Sequence, residues 1–149
     1  MKNTDLKFMQ MAIIQAEMAS LKNEVPIGAI IVANEQVIAK AHNLTETLCD
    51  PTAHAEMQAI TAANNTLGAK YLKKCTIYVT VEPCPMCAGA LRWAQMGRVV
   101  WGADDKKLGY RTMSDKMLHP KTILCNGVME LECRELIQNF FSILRPKIW

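Results

Sequence analysis

The sequence predicts an α/β fold, a three-layer α/β/α arrangement in which helices cover a five-stranded mixed sheet within one domain spanning residues 1–149. Two observations lead to this fold class. Two strand-like segments near the start of the chain follow each other closely enough to form an antiparallel hairpin. Beyond the hairpin, helical and strand patterns alternate, as they do where helices connect the strands of a layered sheet.

The segment before the hairpin is predicted to be a helix over residues 5–21. Its apolar residues recur at the spacing of one helix face, and they are Leu6, Met9, Ile13 and Ala16. The hairpin strands are predicted over residues 27–33 and 36–41. Because the first of these strands is apolar throughout, we expect it to be buried on both faces of the sheet.

The middle of the chain is predicted to hold a helix followed by a central strand. The helix start is indicated by Asp50-Pro51-Thr52, which offers a capping carboxylate and a proline for the first turn. We expect this helix to stop before Gly68. Residues 75–81 are rich in β-branched side chains, which favours a strand in the centre of the sheet.

The last part of the chain is predicted to contain two helices, over residues 85–96 and 129–144, and two strands, over residues 98–103 and 122–126. The first of these helices has no charged side chain in its first seven residues. We therefore expect it to be buried on more than one side, either in the core or against a second subunit. Pro146 is predicted to end the last helix.

The charge of the chain is nearly balanced, with a formal net charge of +3. Between residues 92 and 121, however, seven basic side chains accompany three acidic ones. Such an excess is a candidate surface for contacting phosphates, and it is equally compatible with a solvated loop. No apolar run approaches the ~20 residues needed to cross a bilayer, which argues against a membrane-spanning protein. Six cysteines without a secretion signal predict reduced thiols in the cytoplasm.

Two short motifs carry the candidate residues for chemistry, His54-Ala55-Glu56 and Pro83-Cys84-Pro85-Met86-Cys87. Cysteines three residues apart in a first helical turn lie on one face and can bind one metal ion together, and a helix N-terminus favours the thiolate form. With His54 they make three ligands, which leaves the fourth tetrahedral position of a zinc ion open for water. Glu56 is the candidate base for that water.

The residues alone leave three other interpretations open. Cys84 and Cys87 could form a thioredoxin-like redox pair, which would leave His54 and Glu56 without a role. Cys49 could complete a closed structural zinc site, which would leave Glu56 idle. Glu56 could also orient His54 without transferring any proton.

The combination H-x-E followed by P-C-x-x-C is the signature of zinc-dependent nucleobase deaminases. From about residue 5 to residue 145, the chain resembles the bacterial tRNA-specific adenosine deaminases of the cytidine deaminase-like superfamily. The matching segments are EVPIGA at residues 24–29, HN at 42–43, DPTAHAE at 50–56, YVTVEPC at 78–84, MCAGA at 86–90, GRVV at 97–100 and FF at 140–141.

This resemblance implies a hydrolase that converts the wobble adenosine of an arginine tRNA, in the anticodon ACG, to inosine with release of ammonia. It also implies one zinc ion per subunit, the tRNA anticodon arm as partner, and a homodimer, which suits the apolar helix at residues 85–96. Because the zinc motif itself is shared across the superfamily, a deaminase of a free base or nucleoside such as guanine or cytosine is the alternative.

The resemblance further implies substrate contacts, position by position. Asn43 corresponds to a side chain that hydrogen-bonds the base, and Asp105 and Lys106 correspond to positions beside the anticodon loop. The pocket-lining positions are Ile27, Val81 and the backbone at Ala55 and Glu82. The chain departs from the family at residues 107–111, where KLGYR replaces a run of small residues in a region expected to touch RNA.

Overall fold

The computed structural model describes residues 3–148 of the 149-residue chain, and the surroundings of side chains as far as residue 144. These residues form four α-helices, five strands and a short 3₁₀-helix, Tyr110–Thr112, and no helix among them is long and apolar enough to cross a membrane. The helices are α1 (Asn3–Leu21), α2 (Ala55–Leu67), α3 (Pro85–Trp93) and α4 (Glu130–Ile148). The strands are β1 (Gly28–Ala33), β2 (Gln36–His42), β3 (Cys75–Val81), β4 (Arg98–Ala103) and β5 (Ile123–Cys125).

The strands form one mixed sheet in the order β2-β1-β3-β4-β5. Strand β1 pairs antiparallel with β2 and β3, whereas β3 with β4 and β4 with β5 are parallel. Because β3 and β4 run in the same direction, their carboxyl ends meet at one edge, where Val81 lies opposite Ala103. The segment that follows β3 and carries Cys84 therefore leaves the sheet where α/β folds bind their ligands.

Helices cover both faces of the sheet, and the side chains of each central strand alternate between two cores. Along β3, Ile77 and Val79 pack with residues of α2 and α3, whereas Tyr78 packs with residues of α1 and α4. Strand β1 divides in the same way, with Ile31 in the first core and Ile30 in the second. The predicted three-layer α/β/α fold and the double burial of β1 are confirmed.

Helix α2 begins at Ala55, so the predicted start at Asp50-Pro51-Thr52 is wrong. The Asp50 carboxylate instead accepts hydrogen bonds from the backbone N–H and the hydroxyl of Thr52, at 2.8 and 2.7 Å, and closes a turn of its own. The chain then runs extended through His54, with φ −71° and ψ 154°, before the first helical turn. The expected end is confirmed, because Gly68 takes the left-handed conformation at φ 59°.

Two other helix ends differ from the prediction. Helix α3 ends at Trp93 rather than at residue 96, and Gln95 beyond it takes a φ of 53°, which no right-handed helix accommodates. Helix α4 continues to Ile148, past Pro146. The φ that proline imposes is itself helical, so close to the end of a helix its missing N–H removes little more than one hydrogen bond.

Helix α3 is fully buried along one face only, so burial in the core of a single chain does not account for its apolar sequence; the expected alternative, burial against a second subunit, stays a prediction. Cys87, Ala88 and Leu91 are fully buried against the core. The other residues of α3 as far as residue 91 are half-buried, and Arg92 and Trp93 are exposed, Trp93 at 81%. The end of α3 therefore presents a large apolar side chain to solvent.

A buried carboxylate fastens the first helix to the sheet. Asp5 is 2% exposed and accepts hydrogen bonds from both terminal nitrogens of Arg98, at 2.7 and 2.8 Å, and from the Tyr78 hydroxyl, at 2.8 Å. Arg98 begins β4 and Tyr78 lies in β3, so one side chain of α1 joins two neighbouring strands. Burial, together with the hydrogen bond to Asp5, raises the pKa of Tyr78.

Replacing Asp5 by alanine is expected to lower the free energy of unfolding by about 2–4 kcal/mol, because Arg98 loses its counter-charge and Tyr78 loses its acceptor in a mostly buried site. Urea denaturation followed by circular dichroism measures the difference. The control is Glu17→Ala, which removes an exposed carboxylate from the same helix and should change the free energy by less than about 0.5 kcal/mol. Equal losses in the two variants would contradict the assignment.

Candidate active site

Two helix N-termini converge on one point at the carboxyl edge of the sheet. His54 immediately precedes α2, and Cys84 immediately precedes α3, each in an extended conformation. Pro85 occupies the first turn of α3, where its missing N–H removes no helical hydrogen bond. Cys87 lies one turn further along α3 and is fully buried. The fold thus brings together three side chains from segments far apart in the sequence.

The three side chains are spaced as one tetrahedral metal ion requires. The Nδ1 atom of His54 lies 3.6 Å from Sγ of Cys84 and 3.5 Å from Sγ of Cys87. All three ligand atoms lie within 4.8 Å of one another. Zinc bonds of about 2.0–2.1 Å to nitrogen and about 2.3 Å to sulfur place tetrahedral ligands roughly 3.6–3.8 Å apart. The donor set and its spacing therefore fit a zinc ion with three protein ligands.

The hydrogen bonds within this cluster already favour negative charge on sulfur. The thiol of Cys87 donates to Cys84 and, with His54, lowers the pKa of Cys84 to about 4. Cys87 keeps its proton for that hydrogen bond, which raises its own pKa. The hydrogen bond to Cys84 also raises the pKa of His54. A thiolate at a helix N-terminus is the form that binds metal ions.

Glu56 lies beside this cluster with its side chain turned into the protein. It is the second residue of α2 and is 4% exposed, and its carboxylate interacts with the thiol of Cys87. Burial raises the pKa of Glu56 to about 7, because the charged form loses its hydration. A carboxyl group in this range can both accept and donate a proton at neutral pH.

Three of the substrate positions implied by the resemblance are tied to the turn that carries His54. Asn43 is 5% exposed, and its backbone N–H donates to the carbonyl of Ile27 at 3.1 Å. The next residue, Leu44, donates its N–H to the carbonyl of Ala53 at 3.0 Å, and Ala55 is fully buried at the start of α2. These bonds hold the end of β2 against the metal-binding turn.

The sequence reasoning missed a residue that reinforces this connection. The amide nitrogen of Gln58 donates to the carbonyl of His42 at 2.9 Å and to that of Ala53 at 3.0 Å. One side chain of α2 therefore joins the end of β2 to the loop before the helix. No sequence pattern identifies this role, because a glutamine one turn into a helix is ordinarily a solvated residue.

Three other implied substrate positions, Val81, Asp105 and Lys106, line a separate open cavity of about 1030 Å³. It lies between the loop after β4 and one side of α4, and the ligand cluster is not among its lining residues. We take the ligand cluster as the chemical centre, because its two thiols and imidazole lie within 4.8 Å of one another beside the buried Glu56. The lining residues include Val81, Asp105, Lys106, Lys107, Leu108, Arg134, Ile137 and Phe141.

Glu82 connects the two regions, because it lies between Val81 of the cavity and the ligand Cys84. Its backbone N–H donates to the carbonyl of Ala103 at 2.8 Å. Its buried carboxylate, to which the sequence analysis gave no role, accepts hydrogen bonds from Asp105 and Arg111.

The basic segment at residues 92–121 is less available to phosphates than its charge suggests. Arg98 is bound to Asp5, Arg111 forms ion pairs with Glu82 and Asp104, and Arg92 donates to backbone carbonyls of the loop before β5. All three arginines therefore serve the fold. The basic side chains that remain for a partner are Lys106, Lys107, Lys116 and Lys121, each of them exposed.

Comparisons with known proteins agree with this arrangement. The chain is 43% identical over 148 residues to the tRNA-specific adenosine deaminase of Bacillus subtilis, an alignment that covers 96% of this chain and 92% of that protein. The chain belongs to the tRNA-specific adenosine deaminase family. The broader family model described as MafB19-like deaminase matches residues 3–145. The family resemblance inferred from the motifs is confirmed.

Solved structures of other deaminases share the fold. One, from a study of A-to-I editing by tRNA:A34 deaminases at the wobble position, has a TM-score of 0.81 and 39% identity, covering 87% of this chain and 98% of that chain. A guanine deaminase of Bacillus subtilis has a TM-score of 0.64 and 39% identity, covering 70% of this chain and 66% of that chain.

We expect Cys84→Ala and Cys87→Ala to lose bound zinc and to melt at lower temperature, because metal binding and folding are coupled. Glu56→Ala and Cys75→Ala should keep about one zinc ion per chain, as expected when three ligands suffice. Cys75 is the matched control, since it is a buried thiol outside the cluster. Zinc is measured by atomic emission on folded protein. Zinc loss from Glu56→Ala would make Glu56 a ligand instead.

Proposed function

We propose that this protein is a zinc-dependent hydrolase that converts the wobble adenosine of an arginine tRNA with the anticodon ACG to inosine. The proposal is supported by two features that occur together in this chain. Its similarity to a tRNA-specific adenosine deaminase extends over 96% of its length. Its ligand cluster of one histidine and two cysteines lies beside a buried glutamate.

We assign one zinc ion per chain to His54, Cys84 and Cys87. Bound there, zinc would supply a Lewis acid with one open position that activates a water molecule at neutral pH. The two cysteines would bind the ion as thiolates. The N-terminus of α3 would stabilise these thiolates, because a helix start carries a partial positive charge. Residues at the starts of two different helices would then hold the zinc ion at the edge of the sheet.

We assign the proton transfers to Glu56. Its carboxylate accepts a proton from the water that attacks C6 of adenine and delivers it to N1 of the ring. It then takes the proton of the new C6 hydroxyl and donates it to the amino group as the C6–N bond breaks, so that adenosine and water give inosine and ammonia. Burial beside Cys87 keeps the carboxyl group dehydrated and close to the metal-binding side chains.

We place the base in the space between Asn43 and the ligand cluster. The amide of Asn43 would hydrogen-bond the ring, and Ile27 and Val81 would form apolar walls. The backbone of Ala55 and the carbonyl of Glu82 would complete the pocket. The adenosine must leave the stack of the anticodon loop to arrive there, because C6 is inaccessible in a stacked base.

We assign the flanking nucleotides to the cavity after β4. Asp105 and Lys106 form its wall beside the site, and Phe141 offers a ring from α4 on which an unstacked base could lie. The exposed lysines at residues 106, 107, 116 and 121 would contact phosphates. A tRNA substrate also agrees with the cytoplasmic location predicted from the cysteines, all of which are free in the residues that the structure describes.

We further propose that the protein is a homodimer whose interface includes the outer face of α3. That face carries Trp93 at 81% exposure, and Met113, at the end of the 3₁₀-helix that contacts α3, is 72% exposed. Large aromatic and methionine side chains are enriched where subunits meet. Helix α3 contains Cys87 and is preceded directly by Cys84, so a partner packed on this helix would stiffen the metal site.

A deaminase of a free base such as guanine is the second candidate, because the chain is 39% identical to a guanine deaminase. The alignment covers 66% of that chain, whereas it covers 98% of the tRNA:A34 deaminase. The open cavity with its exposed lysines suits a large polyanion better than a small neutral base, which enzymes enclose on most sides. These features favour tRNA.

The substrate assignment is tested by incubating the zinc-loaded protein with unmodified arginine tRNA of anticodon ACG and, separately, with guanine, cytosine and adenosine. We expect inosine in the tRNA and no turnover of the small molecules. Glu56→Ala should lose at least about a hundredfold in rate while it retains zinc. Rapid loss of guanine with unchanged tRNA would reject tRNA deamination in favour of the second candidate.

The dimer is tested by light scattering on Trp93→Lys, which should shift the mass from two chains to one, because a desolvated charge at an apolar interface opposes association. The control is Ile14→Lys, which places the same charge at a residue of α1 that is 56% exposed, and it should remain a dimer. A wild-type monomer, or a dimer unaffected by Trp93→Lys, would refute the proposed interface.

A further inference from the structure

The carboxylate of Glu82 organises the loop that follows β4. Its side chain is 2% exposed. One oxygen accepts the backbone N–H of Asp105 at 3.2 Å and a guanidinium nitrogen of Arg111 at 3.0 Å, and the other accepts the backbone N–H of Arg111 at 3.2 Å. The buried side chain of Glu82 thus holds both ends of the segment 105–111. Glu82 itself lies two residues before the ligand Cys84.

The segment 105–111 has little freedom once these bonds are made. The carboxylate of Asp105 accepts the N–H groups of Lys107 and Leu108, at 3.1 and 2.9 Å, and Gly109 donates to the carbonyl of Asp105 at 2.9 Å. A side chain at residue 109 would place its Cβ 2.3 Å from the Glu82 carboxylate, so glycine alone permits the close approach. The result is a tight turn over residues 105–108 that projects its side chains into the cavity.

Arg111 is the counter-charge that makes a buried carboxylate tolerable here. Its guanidinium also lies 2.9 Å from Asp104 and 5.0 Å from the centre of the Trp101 ring. It is therefore engaged by two carboxylates and an aromatic face, which leaves it poorly placed to bind a phosphate. The run KLGYR at residues 107–111, which departs from the small residues expected from the family resemblance, supplies this arginine.

We propose that the Glu82–Arg111 ion pair is a positioning device that holds the turn at residues 105–108 in the conformation that receives the anticodon loop. The proposal rests on the tRNA substrate proposed above. Neither residue would contact the reacting atoms. Their effect would be on affinity, because a ligand that binds only the ordered turn loses apparent affinity in proportion to the fraction of protein with that turn formed.

The kinetic test compares Arg111→Ala, Arg111→Lys, Glu82→Gln and the variant that combines Arg111→Ala with Glu82→Gln. We expect KM for the tRNA to rise about tenfold in each single variant, with kcat of the two Arg111 variants within about twofold of the wild type. The double variant should resemble the single ones, since both changes break one interaction. The control Lys40→Ala removes an exposed positive charge from β2, at the far end of the sheet, and should leave KM unchanged.

Salt dependence separates positioning from direct contact. For Arg111→Ala, the slope of log Kd against log salt concentration should equal that of the wild type, because no phosphate contact is lost. A slope smaller by about 1, with KM restored in Arg111→Lys, would show that Arg111 binds a phosphate and would overturn the proposal.

The free protein provides a test that needs no RNA. Hydrogen exchange at the backbone N–H groups of Asp105 and Gly109 should accelerate about tenfold in Arg111→Ala, because their partners are no longer fixed. Zinc content should not change. If exchange accelerates in Arg111→Ala but the wild-type protein edits no tRNA, the proposed substrate is rejected and the role of the ion pair in holding the turn is not. Unchanged exchange together with unchanged KM would reject the positioning role and leave the substrate assignment intact.

Discussion

The close approach of His54 to Cys84 and Cys87 is the constraint on which the rest of the structure depends. The ligand atom of His54 lies 3.6 and 3.5 Å from those of Cys84 and Cys87, although all of α2 and β3 separates His54 from the two cysteines in the chain. A strand that runs parallel to β2 returns the chain to the same edge at which α2 begins. Strand β3 runs in this direction because β2 and β3 both pair antiparallel with β1.

Buried carboxylates then attach the surrounding segments to this frame. Asp5 joins α1 to β3 and β4, and Glu82 holds the loop after β4. Glu24, which is fully buried, accepts hydrogen bonds from the backbone of Glu46 and Thr47 in the loop before α2. Burial of an unpaired carboxylate is costly, so each of these acids accepts hydrogen bonds from several donors. The same hydrogen bonds fix the conformation of the segments that donate them.

This use of charge explains why the basic excess of residues 92–121 overstates the positive charge that is available to a partner. The arginines of the basic segment neutralise interior acids or cap a loop, whereas its lysines remain exposed. The division follows from chemistry, since the planar guanidinium can satisfy two carboxylate oxygens at once and the lysine ammonium keeps its hydration more readily. Within residues 92–121, the arginines therefore stabilise the fold, and the lysines carry the positive charge that is exposed to solvent.

The sequence by itself determined the fold class, the strands and the two motifs of the candidate site, because apolar and β-branched runs and the H-x-E and C-x-x-C spacings are local properties. It did not determine the start of α2, since Asp50 satisfies a turn as well as a helix cap. The exposed face of α3 and the roles of Gln58, Glu82 and Arg111 were decided by tertiary structure alone. Each of these depends on partners distant in the chain, which only the packed sheet brings within hydrogen-bonding distance.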